Sequence, residues 1–96
     1  MVDIKLTSEF ADWLASLRGD VERARISARL VRVRRGNFGD HKPVGSGVWE
    51  LRFAFGPGYR VYYTMRGGTL VVLLCGGHKG TQRRDIERAK ALAEEY

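Results

Sequence analysis

The chain has little of what cofactor chemistry needs. Its 96 residues include one cysteine, Cys75, and two histidines, His41 and His78. A lone cysteine forms no disulfide within the chain, and one thiol with two distant imidazoles offers no metal-ligand cluster. A serine or cysteine triad is also poorly supplied, because Cys75 lies inside the most apolar run and neither histidine is paired with a nucleophile. Cys75 reads as a small buried hydrophobe, which fits an intracellular, cytoplasmic compartment. Long hydrophobic runs are missing too. The longest, Leu70 to Cys75, is far too short to span a bilayer. The first six residues mix charged and apolar types, so no signal peptide is visible. Repeats, low-complexity tracts and linkers are absent, and residues 1–96 read as a single domain. Negative charge is scarce: 11 acidic residues face 17 basic ones, for a net charge of +6. Such a surface suits a polyanion or an acidic protein partner. Most of the cations are arginines, whose planar fork matches phosphate.

What the chain does have is a meander. Val48 to Gly76 holds three short apolar runs separated by Gly56-Pro57-Gly58 and Gly67-Gly68. Trp49, Leu51, Phe53 and Phe55 alternate with Val48, Glu50, Arg52 and Ala54. Tyr59, Val61, Tyr63 and Met65 alternate with Arg60, Tyr62, Thr64 and Arg66. Alternation with period two predicts strands with one buried face. The run from Leu70 to Cys75 is apolar on both faces, as in a central strand. The turns are short enough to join antiparallel neighbours. With Phe55 opposite Tyr59, Arg52 faces Tyr62 across the pair. Arg52, Arg60 and Tyr62 then share the face that Leu51, Phe53, Val61 and Tyr63 do not fill, and that face is the candidate working surface.

Around the meander the periodicity predicts helices. Asp3 to Thr7 reads as a first strand, and Thr7 or Ser8 as an N-cap. Phe10, Trp13, Leu14 and Leu17 make one helical face, which Gly19 is placed to end. Asp20 caps a second helix with the stripe Ile26, Leu30 and Val33, antiparallel to the first. Arg25, Arg29 and Arg32 run beside that stripe. They read chiefly as a solvated flank, and otherwise as contacts to RNA phosphates or an acidic partner segment. Gly36 to Gly47 reads as a connector without regular structure, pinned by Phe38 and Val44, with His41 and Lys42 exposed as weak nucleic-acid contacts. It matches neither GxxxxGK[ST] nor GxGxxG. Gly76 to Gly80 reads as a turn. Thr81 caps a last helix whose apolar face is Ile86, Ala89, Ala93 and Tyr96, and whose Arg83 is a further candidate RNA contact. The expected fold is α+β, in the order β-α-α-β-β-β-α, with a mostly antiparallel sheet of about four strands.

Arg52, Arg60, Tyr62, Lys79 and His78 remain as candidate catalytic groups. Cations and a phenol support few reactions. One is RNA cleavage by the substrate's own 2′-hydroxyl, where the protein orients the phosphate, stabilises the transition-state charge and helps move two protons. Lysine and histidine are the candidates for acid and base, without an assignment between them. Ordinary surface ion pairs, Glu50 included, and a packed Tyr62 are the plainer alternative.

The segments FADWLASLRGDVERARISARLVRVRRGNFGD, KPVGSGVWELRFAFGPGYRVYY and LVVLLCGGHKGTQRRDIERAKALAEEY cover nearly the whole chain. In combination they resemble the RelE/ParE superfamily of toxins, in its HigB-related, phage Gp49-like "addiction module killer protein" branch. The resemblance implies a type II toxin–antitoxin module and a ribosome-dependent mRNA endonuclease that uses no metal or other cofactor. It implies ribosome and message as targets, no membrane, and a helix-turn-helix, HigA-like antitoxin through which the toxin oligomerises. It places Arg60 at the phosphate-stabilising position, Arg52 and Lys79 at basic positions, and Tyr96 near a base-stacking tyrosine. The chain departs from other members in lacking a lysine-rich second strand and a clear C-terminal catalytic histidine, for which His78 is the possible substitute. Gyrase poisons and non-catalytic antitoxin-binding modules share the fold and are the alternatives.

Overall fold

The computed structural model describes all of residues 1–96. Its order is β1 (Asp3–Leu6), α1 (Ser8–Ser16), α2 (Asp20–Arg34), β2 (His41–Gly45), β3 (Val48–Arg52), β4 (Tyr59–Arg66), β5 (Leu70–His78), a 3-10 turn (Lys79–Thr81) and α3 (Gln82–Ala93). The strands form one five-stranded sheet in the order β1-β5-β4-β3-β2. β1 joins β5 in parallel, and every other pair is antiparallel. The sheet is thus one strand wider than the expected four. The extra strand is β2, inside the stretch read as an irregular connector. It is an edge strand with almost no buried side chain, so it leaves no apolar alternation to read. Pro43 is tolerated there because an edge strand needs only half of its backbone hydrogen bonds.

Both faces of the sheet are covered. Phe10, Ile26 and Val33 from the α1–α2 hairpin pack on Leu51, Phe53, Val61, Tyr63, Val71 and Leu73. Ala89, Leu92 and Ala93 of α3 pack on Val48, Tyr62, Val72, Leu74 and Cys75 on the other side. β5 touches both layers, which is why its sequence is apolar on both parities. Thr7 caps α1 by accepting the Phe10 N–H at 3.0 Å. Gly19 does not end α1, which stops at Ser16. It is the N-cap of α2 instead, and Asp20 is the first helical residue. Thr81 makes no side-chain cap to α3. Its hydroxyl donates to Asp85 in the first turn.

Two further expectations shift. Arg52 lies opposite Arg60, and Glu50 opposite Tyr62, so the register differs from the expected one by two residues and β3 ends before Phe53. A slip of two keeps every side chain on its face, whereas a slip of one inverts them all. Gly76 and Gly77 are strand residues of β5 rather than a turn. Their lack of a side chain serves packing. A Cβ on Gly76 would sit 2.3 Å from the Trp13 ring on one face, and a Cβ on Gly77 only 1.8 Å from Asp85 Oδ2 on the other. Gly77 therefore lets the start of α3 lie directly on the sheet beside Arg60, its partner in register.

Candidate functional site: a cationic cluster at one end of the sheet

Arg52 ends β3 and Arg60 is the second residue of β4, directly across from it. Opposed residues project from the same face. The Arg52 guanidinium is tied to Asp40 Oδ1 through Nε at 3.1 Å and Nη2 at 2.8 Å. That hydrogen bond, with the charges of Arg52, Arg29 and Arg60, holds the Asp40 carboxyl below its ordinary value. Arg60 is more enclosed, its side chain only 12% exposed. Its Nη1 donates to the carbonyls of Gly58 and Tyr59, each at 3.0 Å. Lys79 comes to the same place from the end of β5, where its backbone N–H donates to Gly58 O at 2.9 Å. A Cβ on Gly58 would stand 3.3 Å from Lys79 Cβ and 3.5 Å from Arg60 Nη1. Both side chains therefore flank one glycine, whose φ of 77° the turn requires.

His78 precedes Lys79 and pairs in register with Tyr59, so it projects from the face opposite Arg52 and Arg60 and does not join them, contrary to expectation. Its Nδ1 accepts the Gly80 N–H at 3.0 Å and caps the 3-10 turn. The neutral ring consequently carries its proton on Nε2. Arg83 stands exposed in the first turn of α3, next to Gln82. Lys42 lies opposite Glu50, so it shares the face of Arg52 at the sheet's edge.

Other candidates fall elsewhere. Tyr62 is on the face of Arg52 and Arg60, but that part of the face is not open. α3 covers it, and Tyr62 is fully buried. Its hydroxyl donates to Glu50 Oε2 at 2.9 Å. Burial first, and then the charge of Glu50, push the phenol far above its ordinary value. Tyr62 holds its proton at neutral pH and touches no solvent, so it is a structural donor.

Arg29 is the second correction. It is 8% exposed and belongs to the interior rather than to a solvated flank. Nε, Nη1 and Nη2 donate to the carbonyls of Phe38, Arg52 and Asp40 at 2.9, 3.0 and 2.7 Å. The guanidinium also lies 4.8 Å over the Phe53 ring. Arg25 and Arg32 remain exposed. With Phe53 and Phe55 they line a groove of about 500 Å³ between α2 and the β3–β4 turn, where Arg25 stacks 5.0 Å over Phe55.

His41 is one residue from Lys42 and on the opposite face, across from Leu51. Its ring lies 5.6 Å from both Phe38 and Trp49, away from the arginines. Tyr96 is at the far end of the molecule. Its carbonyl accepts Arg66 Nε at 2.8 Å and its ring takes the Lys5 ammonium at 5.1 Å. Arg66 and Arg60 are six residues apart on one strand, roughly 20 Å at about 3.3 Å per residue. Tyr96 is therefore not part of the cluster.

Glu50, which the sequence offers as an ordinary surface ion pair, is not at the surface. It is fully buried between Tyr62, Gln82 and Arg60. Oε2 accepts from Gln82 Nε2 at 2.7 Å as well as from Tyr62. Oε1 lies 3.8 Å from Arg60 Nε, too far for a hydrogen bond, and neither atom has another partner. One signal was present: Glu50 shares its strand parity with apolar Val48, on a face that the alanines of α3 were bound to cover. No three of the His, Cys, Asp and Glu side chains gather as a metal site.

These features define a small α+β protein with arginines from two adjacent strands, a lysine and a helix start gathered at one end of its sheet. The chain belongs to the phage-derived Gp49-like protein family (DUF891), whose model matches residues 12–95. It is 50% identical over 94 residues to an uncharacterized protein of Haemophilus influenzae, a match that spans 98% of this chain and 95% of the relative.

Proposed function

We propose that the chain is the toxin of a type II toxin–antitoxin module, of the RelE/ParE superfamily and HigB-like, and that it cuts message on the ribosome. Membership of a family associated with toxin–antitoxin modules supports the first half of this reading. The pairing of Arg52 with Arg60 on one face, and the approach of Lys79 to Arg60 around Gly58, support the second half. In this reading the substrate's 2′-hydroxyl attacks the adjacent phosphorus, and the 5′-oxygen of the next nucleotide leaves. Arg60 and Arg52 stabilise the charge that grows on the phosphoryl oxygens. Lys79 is the group beside Arg60 able to exchange protons, whereas His78, opposite Tyr59, projects from the other face of the sheet. Arg25, Arg32, Lys42 and Arg83 provide flanking contacts to RNA. No metal takes part, and a helix-turn-helix, HigA-like antitoxin silences the toxin by covering the cationic end.

The test is to map message 5′ ends after a short pulse of expression in cells lacking the antitoxin. New ends at codons within translated frames are expected, and Arg60→Lys makes them many-fold weaker without removing them. Growth arrest with DNA damage and unchanged message ends would replace this reading with that of a gyrase poison. Expression without growth arrest would leave a module that only binds its antitoxin.

A further inference from the structure

Glu50 is a buried carboxylate built into the wall of a cationic site. Full burial keeps it from touching a substrate, so any effect it has on the site passes through the groups it faces. Those groups are donors: Tyr62 and Gln82 on Oε2, Arg60 Nε near Oε1. Tyr62 and Gln82 fix the carboxylate from β4 and from the first residue of α3. Nothing but Arg60 faces the remaining oxygen.

Arg60 is gripped from two sides. Nη1 is held by the carbonyls of its own turn, and Nε is turned toward Glu50. Nη2 makes no bond within the protein, yet it is not among the buried unpaired atoms, so it reaches the surface. A guanidinium is rigid and planar, so with Nη1 held by two carbonyls and Nε drawn toward Glu50 by charge at 3.8 Å, without a hydrogen bond, the direction of Nη2 is set.

We propose that Glu50 is the positioning residue for Arg60. Locked by Tyr62 and Gln82, its carboxylate orients the guanidinium so that Nη2 is aimed at the phosphodiester held beside Lys79. This rests on the reading of Arg60 as the phosphate-binding arginine. It adds that the start of α3, through Gln82, is part of the device that points it. A site pre-organised this way loses turnover rather than message affinity when its support is removed.

The test substitutes Glu50→Gln, which keeps the shape and, with its one oxygen accepting from Tyr62 and Gln82, sets an amide donor against Arg60 Nε. Nitrogen-15 arginine spectra of the purified full chain, with the Arg60 signal assigned from its disappearance in Arg60→Lys, report on the Nε–H directly. The wild type is expected to show a slowly exchanging Arg60 Nε–H. Glu50→Gln shifts this signal and speeds its exchange. In ribosome-dependent cleavage Glu50→Gln lowers kcat by about tenfold or more with KM unchanged, and adds nothing in an Arg60→Lys background. Should Glu50→Gln fail to fold, Gln82→Ala removes one support from a half-buried position, and the same signal moves in the same direction. An unmoved Arg60 Nε–H in the folded variants overturns the proposal. Equal losses from Glu50→Gln with and without Arg60 also overturn it. If the wild type cuts no message, the nuclease reading fails, and the spectra, which need no RNA, still decide whether Glu50 holds Arg60.

Discussion

Replacing Arg29 by alanine distinguishes a structural arginine from a nucleic-acid contact. Its guanidinium serves three carbonyls and the Phe53 ring from a position 8% exposed. The three carbonyls fare differently without it. Asp40 O keeps the Arg52 N–H at 2.9 Å, and Phe38 O lies on a segment that water reaches. Arg52 O has no other partner, at a cost of about 1–3 kcal/mol for a buried unpaired acceptor. Losing the cation–π stack adds about 0.5–1 kcal/mol. Some of this is offset, because a buried charge no longer has to be desolvated. The net expectation is a loss of about 1–3 kcal/mol, or roughly 5–20 °C in Tm for a domain of this size. Urea unfolding followed by circular dichroism should show a lower midpoint with an unchanged slope. Arg32→Ala, on the exposed side of the same helix, should stay within about 0.5 kcal/mol of wild type and Arg25→Ala, which loses only an exposed stack on Phe55, within about 1 kcal/mol, while both weaken RNA binding in a salt-dependent way. A loss below about 1 kcal/mol for Arg29→Ala, or an equal loss for Arg25→Ala, would refute the assignment.

The enclosure of Arg60 changes what its removal does. Arg60→Ala leaves Glu50 buried without its cation and should cost about 2–4 kcal/mol in urea melts. Arg60→Lys keeps the charge and the fold but not the fork, and is the sounder probe of cleavage. The Cys75 thiol, pushed up to about 12 by burial, should resist alkylation in the native protein at pH 8 and react fully in denaturant. The carboxyls of Glu9 and Asp40 are held low by hydrogen bonds from Arg88 and Arg52. A depressed folded-state value means stability that is present above the unfolded carboxylate range and lost as pH falls through the folded value. Tm should therefore fall on acidification below about pH 4.5, and Arg88→Ala should remove the Glu9 share of that fall.

Much of this protein is legible in the order of its residues. The alternation in β3 and β4 fixed their faces, and a register error of two residues left those faces intact because the side-chain period is two. The doubly apolar β5, the stripe of α2 and the Thr7 cap could be read because each is a local pattern. Other features were decided by pairing. β2 has no apolar pattern, since an edge strand is defined by its neighbour's backbone. Glycines 76 and 77 look like a turn until Trp13 and Asp85 are found pressed against them. The same holds for charge. An arginine at position 29 and one at position 25 look alike along a helix, and only packing buries the first under three carbonyls. Sequence determined which residues carry charge and which face of each strand they occupy. Tertiary structure decided which charges water can reach, because desolvation depends on what α2 and α3 cover, and neither helix is near Arg60 or Phe53 until the chain has folded.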